Sequence, residues 1–308
     1  MQRPARAANL RHMRYDPYET LITPARPSSN PLRLTIGFVL GAALYMLLLG
    51  FFVGFVAATI ATDGNINRAI NMILAAATPQ TMLFTLFSFV LMIASLWFVL
   101  KLIHKRSLAS LLGPFRIFRR QFLRVSAFLL AFQAFLFLLP ATEDVPMSPG
   151  LDFGVWLKFL PFALIALMIQ VSAEEMVFRG YAQSQLAARF SHPIIWIGLP
   201  SALFGWLHYD PGVAGGNAWI IAVMLGLFAA TAADITARSG TLGPAIALHL
   251  FNNINALLIA APAGNYSGLA LYTFPLSSIQ NSGNGMAFAL NFVIILCGWL
   301  VARLALRR

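Results

Sequence analysis

Six residues could do chemistry, and they fall in three short runs. The first, Val171 to Arg179, places Glu174, Glu175 and Arg179 at the end of a long apolar stretch. A charge at bilayer depth costs about 2.5–3.5 kcal/mol on insertion scales, so an ionisable cluster there points to function. On a helix the adjacent Glu174 and Glu175 point about 100° apart and cannot share one task. Glu175 and Arg179 are four apart and face each other, which predicts an ion pair. Glu174 has Phe178 at the corresponding position and no cation on its stripe. An unpaired carboxylate in an apolar span suits a general base, which burial would tune.

The second run is Phe204 to His208, and the third is His249 to Asn253. A lone histidine near a helix end is ordinarily an interfacial residue, but the numbering argues for more. Residues 174 and 208 are symmetric about 191, and Ser191-His192-Pro193 reads as a turn. Two antiparallel helices meeting there would hold Glu174 and His208 at equal depth, each about 25 Å from the turn. The Tyr209-Asp210-Pro211-Gly212 run ends the second helix early. His249 and Asn253 are four apart, so one helical face presents both an imidazole and an amide. Such a stripe can hold a water or an oxyanion, whereas Asn252 points elsewhere. The segment before it, Arg238 to Gly243, is expected as a cytoplasmic loop. Asp234 is also apolar-embedded, but Arg238 four residues on predicts a structural pair.

Neither a His-Glu-x-x-His helix nor a Gly-x-Ser-x-Gly elbow occurs. If a zinc ion binds, Glu174, His208 and His249 would be its ligands, the three-ligand pattern of a catalytic site. If none binds, Glu174 and His208 would activate water directly, with His249 and Asn253 stabilising the oxyanion.

The elements that position these residues follow from composition. The 308 residues are 59% hydrophobic and 10% charged, with a mean hydropathy of +0.76; a soluble protein would carry about 25% charged residues. The fold class is therefore all-α, a polytopic membrane helical bundle. Apolar spans run at about 34–61, 80–103, 125–140, 156–173, 193–208, 218–236, 244–260 and 286–304, which predicts about eight transmembrane helices. Residues 1–33 read as an Arg-rich, disordered cytoplasmic tail, and residues 34–308 as a single transmembrane domain. Basic residues gather at one set of span ends, so both termini are expected in the cytoplasm. The net charge of +11 follows from those ends and does not indicate nucleic acid. Cys297, the only cysteine, rules out an internal disulfide and Cys-based zinc chemistry.

Between His104 and Arg124, basic residues alternate with Leu, Phe and Ile. A solvated loop with interfacial anchors is the favoured reading, and an amphipathic helix lying on anionic lipid is the alternative. Gly37/Gly41 and Gly50/Gly54 have the small-xxx-small spacing of packed membrane helices. No internal repeat of the transporter kind is visible.

Taken in order, Glu-Glu-x-x-x-Arg (174–179), Phe-x-x-x-His (204–208) and His-x-x-x-Asn (249–253) resemble the CPBP intramembrane proteases. That family comprises type II CAAX prenyl endopeptidases and Abi-like bacterial relatives. The resemblance covers about residues 101–260. It implies that Glu174 and His208 activate water, while Glu175, Arg179, His249 and Asn253 support the site or bind substrate. It leaves open whether the mechanism is a zinc metalloprotease's or a metal-free glutamate protease's. The expected function is hydrolysis of a peptide bond in a membrane-associated protein or peptide, in a multi-pass protein of a bacterial inner membrane. A non-catalytic scaffold or maturation/immunity factor of the same fold is the first competitor, and a proton-coupled transporter the second.

Overall fold

The computed structural model describes residues 15–61, 64–139, 146–280 and 285–307. Among the described residues nine helices carry the architecture: α1 Pro31–Ile60, α2 Ile66–Ala75, α3 Pro79–His104, α4 Phe115–Phe137, α5 Phe153–Ala187, α6 Ile194–Trp206, α7 Pro211–Ser239, α8 Gly243–Ile259 and α9 Gly285–Leu306. Six of them, α1, α3, α4, α5, α7 and α9, are long and apolar enough to cross a membrane. The two others in the expected set of eight, α6 and α8, are shorter. The all-α polytopic bundle is as the composition requires, and the protein is an integral membrane protein.

The helices start where local chemistry starts them. Asn30 accepts from the Leu32 amide at 2.8 Å and Pro31 opens α1. Thr78 and Thr81 form a reciprocal capping box at the head of α3. The Asp152 carboxylate takes the Gly154 and Val155 amides at the head of α5, and Asp210 does the same for Gly212 and Val213 at α7. Helix α7 is central, with 61% of its apolar window buried, against 6% for the peripheral α1. It packs on α6, α8 and α9, while α4 lies against α8 and α9. The crossing of α6 and α7 is close because Gly205 has no side chain. A Cβ there would strike the Ala222 carbonyl and come within 2.9 Å of the Gly226 amide nitrogen.

At one end of the bundle β1 (Ser148–Pro149), β3 (Tyr272–Phe274) and β2 (Ala260–Pro262) form a small sheet in the order β1-β3-β2. The β1–β3 pair is antiparallel and the β2–β3 pair parallel. The other end holds the α3–α4, α5–α6 and α7–α8 connections and most of the exposed basic residues.

Four expectations need correction. The disordered tail falls outside the described residues for 1–14, but Asp16–Ser28 is helical and Tyr18, Leu21 and Ala25 are fully buried. Its aromatic side chains pack on Trp196, with Tyr15 at 5.3 Å edge-on and Tyr18 at 5.6 Å between ring centroids. Periodic apolar residues among the prolines had partners that only the tertiary structure supplies. Second, the 104–124 segment is not a loop throughout, since α4 begins at Phe115 and carries its arginines on its first three turns. Third, α2 is an unforeseen helix whose Ala69 and Ile73 pack on Val56 and Ala57 of α1. Fourth, the α7–α8 connection is buried rather than solvated. Thr241 and Leu242 are 1% and 0% exposed. Thr20 Oγ1 donates to the Gly240 carbonyl, the Leu242 amide to the Leu112 carbonyl, and Gln121 bonds Ser239 and Thr241. Of the two glycine pairs, only Gly37/Gly41 packs, against Val99 of α3; nothing lies within 4 Å of a Cβ at Gly50 or Gly54.

Candidate active site

Helices α5 and α8 run antiparallel, and their polar residues meet in rungs. Glu174 Oε2 lies 3.6 Å from His249 Nε2. One turn away, Asn253 Nδ2 donates to Gln170 Oε1 at 2.8 Å. Because each rung steps four residues on both helices, one register produces both. Gln170, a member of this polar pairing, is a residue the sequence reading passed over. The signal was present: it precedes Glu174 by four, as Asn253 follows His249 by four.

Glu175 faces the opposite way from Glu174, as their adjacency dictates. Its Oε1 accepts from Arg179 Nη1 at 3.0 Å and meets His249 Nδ1 at 2.8 Å. Arg179 also donates to the Ala229 carbonyl at 3.2 Å, and its guanidinium lies 5.0 Å from the Phe204 ring centroid. Glu175, Arg179 and His249 are all buried. The expected Glu175–Arg179 pair is present, and so is Asp234–Arg238, at 2.7 Å. Asp234 also accepts from Tyr15 and Trp299, tying α7 to the N-terminal segment and α9. Just past Glu175, α5 widens into π-helical geometry over Met176–Gln183. Such segments often mark functional sites, and no propensity signals them in advance.

His208 lies just beyond the last turn of α6, which ends at Trp206. Its Nδ1 is 2.7 Å from the Phe204 carbonyl, and the two rings are 4.5 Å apart. A carbonyl only accepts, so Nδ1 carries a hydrogen, and Nε2 is the nitrogen turned away from this bond. His249 is held between the Phe204 and Phe228 rings at 6.1 Å and 5.3 Å.

A cavity of about 450 Å³ brings these parts into one space. Glu174 and His208 both line it, which agrees with equal depth across the hairpin. Its walls are otherwise chiefly apolar and come from four helices: Phe38, Tyr45 and Met46 of α1, Phe89 and Leu96 of α3, Phe178 and Tyr181 of α5, and Phe204 of α6. Glu175, Arg179, His249 and Asn253 are not on its surface; they stand behind Glu174. His249 reaches Glu174 although helical rise alone puts it nearer its own end of α8. The buried α7–α8 connection explains this, because α8 starts inside the bundle.

Among the described residues no three His, Cys, Asp or Glu side chains are grouped as a metal site requires. Glu174, His208 and His249 therefore fit a zinc poorly. Glu174 and His249 stand 3.6 Å apart, while His208 is bonded through Nδ1 to the Phe204 carbonyl.

Residues 156–255 match the family model described as type II CAAX prenyl endopeptidase Rce1-like. Over that segment, about a third of the chain, the protein is similar to the CAAX protease family. Every one of the six motif residues lies inside the matched segment, while α1 and α3, which wall half the cavity, lie outside it. No curated protein and no solved structure matches the chain.

Proposed function

We propose that this protein is an intramembrane endopeptidase of the CAAX protease family that hydrolyses a peptide bond in a membrane-associated protein or peptide. One observation carries the reading: Glu174 and His208 share an apolar-walled cavity of about 450 Å³, with a buried polar network behind the acid.

Glu174 takes a proton from water, and the hydroxide attacks the scissile carbonyl carbon. His208, with a hydrogen on Nδ1, offers Nε2 to orient that water, and the proton now held by Glu174 passes to the leaving amine as the C–N bond breaks. His249 holds the Glu174 carboxylate in place; Glu175 fixes His249 through Nδ1, and Arg179 fixes Glu175. Asn253, behind the cavity wall, braces Gln170 through one amide hydrogen and so supports the helix pairing that holds Glu174. The apolar walls exclude bulk water, which strengthens each of these interactions.

The charge bias of the span ends supports a cytoplasmic placement of both termini in a bacterial inner membrane. The apolar cavity supports a substrate that is itself partly in the lipid.

The test is cleavage of membrane-associated peptides by purified protein, read by mass spectrometry. Glu174→Ala and His208→Ala should each lower kcat by about 100-fold or more, the scale of general acid–base catalysis, while the protein stays folded in the membrane. Full cleavage by either variant would overturn the assignment. Complementation of a gene deletion by Glu174→Ala would instead favour a non-catalytic scaffold.

A further inference from the structure

We infer that the first three turns of α4 form a binding surface for anionic lipid headgroups. Arg116, Arg119, Arg120 and Arg124 are all exposed. On a helix they fall within one broad stripe. The opposite face is the packed one: Val125 is fully buried, and the Phe118 and Phe122 side chains join the core. Exposed Phe115 and Leu123, at 69% and 57%, flank or interrupt the arginines. Basic and apolar groups mixed on one exposed face suit the boundary between headgroups and acyl chains, and not open water. Because α4 continues into a membrane span, that boundary is where the stripe must sit. From Arg116 to Arg124 the helix rises about 12 Å, which covers the headgroup layer.

Among the described residues no carboxylate is paired with the stripe. Among the described carboxylates, Glu174 and Glu175 belong to the buried network, Asp234 is tied to Arg238, and Glu19 pairs with Arg26. Asp152 and Asp210 cap helices at the sheet end. Asp16 alone remains near the basic end. Four outward guanidinium groups are thereby left for a partner outside the fold, and phosphate matches their planar fork in charge and geometry. At the membrane boundary the available phosphate is the lipid headgroup.

The inference stands apart from any catalytic role. Purified protein in neutral detergent is equilibrated with equimolar phosphatidylglycerol and phosphatidylcholine, washed, and its retained lipids counted by mass spectrometry. Wild type should enrich the anionic lipid about tenfold, and the R116Q/R119Q/R120Q/R124Q variant about twofold or less. Equal enrichment in the two would overturn the proposal. Should the variant not fold, wild type decides. Raising salt from about 0.05 M to about 0.5 M should erase most of the enrichment, and salt-independent retention would overturn it. Soluble glycerol phosphate at millimolar concentration should leave the bound lipid in place. Displacement would point to a site for free phosphate, contrary to the proposal.

Discussion

Two adjacent glutamates do opposite work here. Glu174 faces a cavity and has one partner at 3.6 Å, whereas Glu175 is fully buried between Arg179 and His249. Breaking a buried pair by removing one member leaves the other charge without compensation, at a cost of about 3–5 kcal/mol. Arg179→Ala is therefore expected to destabilise the protein by about that amount, seen as a lower Tm in detergent. The double variant Glu175→Ala/Arg179→Ala should recover part of the loss, since it removes the orphaned carboxylate as well. A double-mutant cycle with no coupling would show that the pair contributes only through its separate contacts. Glu174→Gln should behave differently, leaving stability nearly unchanged, because its side chain already borders a cavity.

At the scale of elements, helix crossings decide where the acid and imidazoles sit. Helix α6 is short, and its close approach to α7 brings Phe204 and His208 against α5. Gly205→Ala pushes a methyl group into the Ala222 carbonyl; overpacking of this kind costs about 1–3 kcal/mol. A lower Tm together with weakened cleavage is the expected result. Gly54→Ala meets open space and removes a helix-weakening residue, so it should be neutral or stabilising by up to about 1 kcal/mol. Similar Tm losses at both positions would refute the close-crossing account. The π-helical stretch after Glu175 and the buried α7–α8 connection belong to the same scale. Each shifts side chains from where an ideal helix would put them, and both shifts favour the meeting of α5 with α8.

For the molecule as a whole, charge and apolar length set its disposition. The basic ends and the small sheet lie at opposite poles of the bundle. In a Cys297→Ser background, Ser107→Cys and Ala263→Cys report on the two poles. In intact cells a membrane-impermeant maleimide should label only Ala263→Cys, with Ser107→Cys reacting once the membrane is opened. The reverse pattern would invert the topology and remove the support for cytoplasmic termini. The N-terminal segment bears on the same question, since Tyr15, Tyr18 and Thr20 hold it against α5–α8 at the basic pole.

Periodicity and charge by themselves determined the membrane class, the order of spans and the Glu175–Arg179 and Asp234–Arg238 pairs, and they singled out the six motif residues as candidates. These are local facts: apolar length and four-residue spacing need no knowledge of what lies across the bundle. The symmetry of 174 and 208 about one turn is nearly local too, because a hairpin converts numbering into depth. Only the tertiary structure decided that Gln170 braces Asn253 and that His249 divides its two nitrogens between Glu174 and Glu175. It alone decided that α1 and α3 complete the cavity, and that residues 15–28 fold against the bundle. The physical reason is shared by all four. Each depends on contact between segments far apart in the chain, through an interhelical register and a recessed connection that no single helix encodes.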